Sequence, residues 1–175
     1  MQSAANISVW ANDKVACVRV SGRANISASV DFKCLIRELA AQKPRRFILD
    51  LSNCLLMDST FLGVLAGMGQ RFQNGNSPGN LCTLELFNPN ERVIELLDNL
   101  GLMDYFKLTD SNGLDESGLQ SVNHTSVQPG VKEVSETCLD AHKTLMDLNP
   151  ENVPKFKDVT RFLEEDLNKS GTGED

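Results

Sequence analysis

RRFILDLSNCLLMDSTFLGVLAGMGQRF, residues 45–72, decides how this chain folds. Residues 45–51, RRFILDL, are a nearly continuous apolar run between charges. That is the pattern of a strand buried on both faces, usually in a parallel sheet. The segment from Phe61 onward (Phe61, Leu62, Val64, Leu65, Ala66, Met68) leaves almost no polar face over two turns. A helix apolar nearly all round is buried, or it offers an apolar patch to a partner. Gly63, Gly67 and Gly69 each cost about 1 kcal/mol of helix propensity against Ala, a cost that close packing can offset. Asp58-Ser59-Thr60 stands where a helix N-cap is expected.

Working outward, residues 6–11 (NISVWA) and 14–21 (KVACVRVS) alternate around Asn12-Asp13, which predicts a β-hairpin. After Gly22, either Ser27 or Ser29 can cap a helix whose face is Phe32, Leu35, Ile36 and Leu39. Lys43-Pro44 ends it. Beyond residue 72, NGNSPGN (74–80) is a loop signal and LCTLELF (81–87) an alternating strand. Asn88 or Asn90 caps a helix with Val93, Leu96, Leu97 and Leu100 inward and Gly101 at its end. Tyr105–Leu108 reads as a last edge strand. The order β-β-α-β-α-β-α-(β) predicts an α/β unit over residues 1–108, with helices layered on a sheet.

Residues 109–130 are polar and turn-rich without periodicity, and read as a linker. Val134, Cys138, Ala141, Leu145 and Leu148 then recur at helical spacing, and after the Asn149-Pro150 break Phe156, Val159, Leu163 and Leu167 do the same. This predicts a C-terminal helical hairpin over 131–168, with residues 169–175 as a disordered tail. Two helices cannot bury their stripes alone. The expected cover is the open side of the sheet, or a second copy of the chain in a homodimer.

Composition narrows the function. The chain has 175 residues, 41% apolar and 23% charged, which suits a globular protein. Residues 1–108 hold 11 basic and 10 acidic side chains, residues 109–175 hold 6 and 14. No basic stripe is present, so nucleic acid is not an expected partner, and the acidic C-terminal part would be repelled by anionic lipid. No apolar run approaches the roughly 20 residues of a membrane span. The N-terminus lacks a basic-then-apolar signal, so a cytoplasmic location is expected. Five cysteines without a CxxC pair read as buried thiols in a reducing compartment. His124 and His142, the only histidines, read as polar surface residues. No spacing predicts a metal site, a cofactor or a catalytic constellation, and Glu164-Glu165-Asp166 reads as a solvated helix face. A non-enzymatic protein is expected.

Asp50-Leu51-Ser52, Met57-Asp58-Ser59-Thr60 and Leu62-Gly63-Val64-Leu65 together resemble the central motif of the STAS family, the anti-sigma-factor antagonists. Val20-Ser21-Gly22 and the run from Asn90 to Gly101-Leu102 extend the likeness over about residues 5–108. It implies a STAS-like sandwich, a mixed sheet of about four to five strands with helices. Two departures stand out: Phe61 where the family often has Gly, and Arg23-Ala24-Asn25 where it often has Glu-Leu-Asp.

In the sigma-regulating branch of that family, a partner serine kinase, the anti-sigma factor, phosphorylates the first hydroxyl after Met-Asp, and a phosphatase resets it. The resemblance therefore implies phosphorylation at Ser59, with Thr60 the alternative, and partner contacts through Asn25, Asp58, Ser59, Thr60, Phe61 and Leu62. Physical chemistry is consistent with this choice. A hydroxyl just ahead of a helix meets free backbone N–H groups and the positive end of the dipole. The alternative is a non-switching scaffold module of a signalling or lipid-transport complex.

Overall fold

The computed structural model describes residues 5–75, 82–110 and 115–171. Strands β1 (Asn6–Ala11) and β2 (Val15–Ala24) form the expected hairpin, and Asn12 closes its turn by accepting the N–H groups of Lys14 and Val15. Helix α1 (Ile26–Ala41) follows, then β3 (Arg46–Asp50), β4 (Cys54–Met57), α2 (Ser59–Gly75), β5 (Thr83–Phe87), α3 (Glu91–Asn99), β6 (Lys107–Thr109) and β7 (Gln120–Val122). Helices α4 (Val131–Leu148) and α5 (Val153–Gly171) complete the chain.

The sheet runs β6-β5-β3-β2-β1-β7, with β4 pairing on β2 beyond its glycine. β2, β3, β5 and β6 are parallel neighbours, whereas β1 is antiparallel to both β2 and β7. The sheet is therefore mixed, as expected, but among the described residues it has seven strands rather than four to five. The additional pieces are short. β4 has only four residues, and β7 lies inside the stretch read as a linker. That stretch is tied down at a second point, because Asp31 of α1 accepts from the Val127 N–H at 3.0 Å and pairs with His124 at 2.9 Å.

β3 is buried on both faces as its composition requires. Phe47 and Leu49 join the main core with Phe32, Phe61, Leu65 and Leu86. Ile48 points the other way, into a small cluster with Cys17 and Phe87 that Trp10 and Leu119 cover. Two ion pairs cross neighbouring strands on that second face. Arg19 donates to Asp50 at 2.6 Å, and Arg46 grips both Glu85 oxygens at 2.9 Å. The Arg46 bonds hold the Glu85 carboxyl below its usual range. For Asp50, burial pushes upward, but bonds from Ser52 and Arg19 outweigh it and hold the carboxyl low.

The caps follow the sequence in part. Asn90 caps α3, accepting the Val93 N–H at 2.9 Å, and Gly101 ends it at φ +70, with Leu102 N–H reaching back to the Leu97 carbonyl. This is the left-handed helix ending that glycine favours. Helix α1 is capped by Asn25, not by Ser27 or Ser29. The Asn25 side chain accepts the Ala28 N–H at 3.1 Å.

The C-terminal hairpin does not dock on the open side of the sheet. It lies on the helical side, α4 against α2 and α1, with α5 folded back on α4. The turn between them, Pro150–Asn152, is bolted to the end of α3. Asn152, fully buried, donates to the carbonyls of Leu100 (3.0 Å) and Leu145 (2.9 Å), and Lys155 donates to the carbonyl of Asn99. Leu145 is fully buried, and burying one such side chain stabilises by about 1.5–3 kcal/mol. Val159 and Phe162 of α5 remain exposed. Of the segments read as loop or tail, residues 76–80 and 172–175 lie outside the described residues, while Lys169–Gly171 belong to α5.

Candidate functional site

The site is built where β4 hands over to α2. The Asp58 N–H donates to the Ala24 carbonyl, which fixes the loop against the end of β2. The Asp58 side chain then accepts the Phe61 N–H at 2.9 Å, the geometry of an N-cap. Burial pushes the Asp58 carboxyl up, and the N–H groups of Phe61, Thr60 and Ile26 oppose that shift. Ser59 is therefore the first residue of α2, half-buried.

The Ser59 Oγ lies 2.8 Å from Nε2 of His142, a residue of α4 that is 3% exposed. The other ring nitrogen, Nδ1, lies 2.7 Å from the Cys138 carbonyl. A carbonyl can only accept, so Nδ1 carries the proton. Nε2 of the neutral ring is then bare, and the Ser59 hydroxyl donates to it. Burial holds His142 below its ordinary value, which favours the neutral ring, and the Cys138 carbonyl and Asp58 offset part of that shift. Both histidines are thus structural partners rather than free surface groups: His142 of Ser59, His124 of Asp31.

The other expected contact residues divide. Asn25 is exposed beside the site while its side chain caps α1. Thr60 is 3% exposed, and its hydroxyl donates to Cys138 Sγ at 3.4 Å, beneath α4. That cover argues against Thr60 as the modified hydroxyl. Phe61 is 0% exposed and stacks on Phe32, with ring centroids 4.7 Å apart. Leu62 is also in the core. Neither can line a docking surface in this conformation, because both side chains turn inward from the first turn of α2.

The closest helix approach lies one turn further on. A Cβ on Gly63 would overlap the backbone carbonyl of Ala141 and sit 2.7 Å from the Ala141 Cβ. Glycine is what permits this contact. Beside it a groove of about 390 Å³ runs between α1, α2 and α4, lined by Val64, Gly67 and Met68, among others. Ser59 does not line it. Among the described residues no three His, Cys, Asp or Glu side chains converge as a metal site would require, and no helix is long and apolar enough to cross a membrane.

The STAS domain family matches residues 6–114, a span that holds β1 to β6 and helices α1 to α3 but not β7. The chain belongs to the STAS domain family. Solved structures similar to this STAS chain include an anti-sigma factor antagonist from Mycobacterium paratuberculosis, at 20% identity, covering 60% of this chain and 85% of that one with a TM-score of 0.49. Another is an anti-sigma factor antagonist from Thermotoga maritima, at 21% identity, covering 62% and 86% with a TM-score of 0.45. The phosphorylated Bacillus cell fate determinant SpoIIAA is similar at 16% identity, covering 62% and 91% with a TM-score of 0.47. The search of curated proteins found no match. The STAS match ends before α4 and α5, so the helix that covers Ser59 lies outside it, as does the helix folded back on that one.

Proposed function

We propose that this STAS chain is an anti-sigma-factor-antagonist type of binding module. Unphosphorylated, it captures a partner serine kinase that serves as anti-sigma factor; phosphorylated on Ser59, it releases that partner, and a phosphatase restores the hydroxyl. The observation that carries this reading is the place of Ser59, half-buried at the first position of α2 with Asp58 capping the helix. The Met57-Asp58-Ser59-Thr60 motif supports the choice of hydroxyl.

The chemistry is phosphoryl transfer on the partner. A bond forms from Ser59 Oγ to the γ-phosphorus of ATP, and the bond from that phosphorus to its bridging oxygen breaks. ADP leaves, and the hydroxyl proton passes to a base of the kinase. The product places roughly -1.5 to -2 charge at the docking face, which disfavours association by desolvation and repulsion.

The test is to incubate the protein and ATP with the serine kinases encoded beside it, and to follow intact mass. Wild type is expected to gain one phosphate and Ser59→Ala none. Stoichiometric phosphate on Ser59→Ala overturns the site. No labelling of wild type favours the scaffold reading, which the bond from Ser59 to His142 also favours.

A further inference from the structure

The face that carries Ser59 is already occupied. Helix α4 covers it from Ser59, through Thr60 and Gly63, to Gly67, with His142, Cys138, Ala141 and Thr144 as the facing residues. We infer that the α4–α5 hairpin is an intramolecular occupant of the switch face, and that docked α4 and a phosphate on Ser59 exclude one another. This rests on reading Ser59 as the switch residue.

Three features carry it. First, the hydroxyl has one proton, and it is donated to His142 Nε2 at 2.8 Å. Phosphoryl transfer from ATP replaces that proton with a phosphorus and its oxygens, so the bond is lost and the group must fit where the ring stands. Second, the neutral ring offers the phosphate no donor, and burial disfavours the second proton that would make Nε2 one. Its Nδ1–H is committed to the Cys138 carbonyl, and its far side packs on Phe156, with centroids 5.0 Å apart. The adjacent charge is the Asp58 carboxylate, of the same sign as the phosphate. Third, α4 is seated as close to α2 as backbone allows, so room for the phosphate comes only from moving the helix away. Gly63 and the Ala141 carbonyl are in backbone contact, so the helix is either seated or lifted.

Linkage then runs both ways. A seated α4 withholds Ser59 from a kinase, and a phosphate favours the lifted form. Any partner that docks on α2 competes with α4 for the same surface. The exposed outer face of α5 is free to take part in that exchange, since Val159 and Phe162 are already uncovered.

Cys138 is a native reporter of the seated state, being 8% exposed and against Thr60. The full chain is made with phosphoserine incorporated at position 59 during translation, so that no kinase is needed. Alkylation of Cys138 by iodoacetamide is followed by peptide mapping, alongside amide hydrogen exchange. Ala141→Arg, whose side chain has no room against Gly63, calibrates the lifted form.

The phosphoserine chain is expected to label Cys138 at least about tenfold faster than the unmodified chain, near the Ala141→Arg rate, with β2, β3 and β5 keeping their protection. Labelling at the unmodified rate, or protection lost across the sheet as well, overturns the inference. Failure of every kinase to modify Ser59 in Ala141→Arg, where α4 is lifted, as well as in the wild-type chain would sink the switch reading and leave this exclusion standing.

Discussion

Gly63→Ala is a sharp probe of the α2–α4 contact, because two effects of opposite sign meet there. In a solvent-exposed helix the change would stabilise by about 1 kcal/mol, since glycine is the poorer helix former. Here the added methyl overlaps the Ala141 carbonyl and comes within 2.7 Å of the Ala141 Cβ. Overpacking of this kind costs about 1–3 kcal/mol, and backbone on the far side puts it at the upper end. The net loss is about 2 kcal/mol, which for a chain of this size lowers Tm by about 4–8 °C. Gly67→Ala, one turn along, is the internal control. Its methyl would meet Thr144 Cγ2 at 3.6 Å, ordinary van der Waals contact, so it should raise Tm by about 1–4 °C. Differential scanning calorimetry of both variants measures the signs. A Tm for Gly63→Ala at or above wild type would refute the seating of α4 on α2.

Two further outcomes are expected. Because burial holds His142 below 6.5, the unfolded chain takes up a proton first as pH falls through 6.5. His142 therefore adds stability that is present above 6.5 and lost as pH falls toward the folded value; urea unfolding at pH 7 and pH 5 should show a smaller loss in His142→Asn than in wild type. Asn152→Ala removes one donor each from the carbonyls of Leu145 and Leu100, leaving only the Asn149 bonds there, for a loss of about 1–3 kcal/mol by urea unfolding.

Much of the fold could be read from local pattern. The alternation in β1 and β2, the unbroken apolar run of β3 and the three- and four-residue spacing in α1, α3, α4 and α5 each correspond to an element in place. Two strands were not legible. In β4, Leu55 is 63% exposed and the four residues show no alternation, because only one edge of the strand is paired. In β7, all three residues are exposed, so no apolar signal exists. The cap of α1 moved to Asn25 because Ser29 turns inward and gives its hydroxyl to the Asn25 carbonyl.

At the site, Ser59 and the capping Asp58 were legible as a helix start. The destination of α4 was not, since His142 and Ser59 stand 83 residues apart and no local spacing encodes that meeting. One signal was present. His142 sits four residues after Cys138 and three before Leu145, on the apolar stripe, where a polar side chain needs a buried partner. The helix α2, apolar on nearly every side, needed a cover too, and α4 supplies it. Phe61 and Leu62 were misplaced as surface groups because the run from Phe61 to Met68 is apolar on nearly every side and does not show which residues face inward.

The most direct measurement is calorimetric titration of the partner kinase with the unmodified chain and with the chain carrying phosphoserine at position 59. Release on phosphorylation predicts a Kd weakened by at least about tenfold for the phosphorylated chain. Equal affinity for the two forms would contradict Ser59 as the group that sets capture or release.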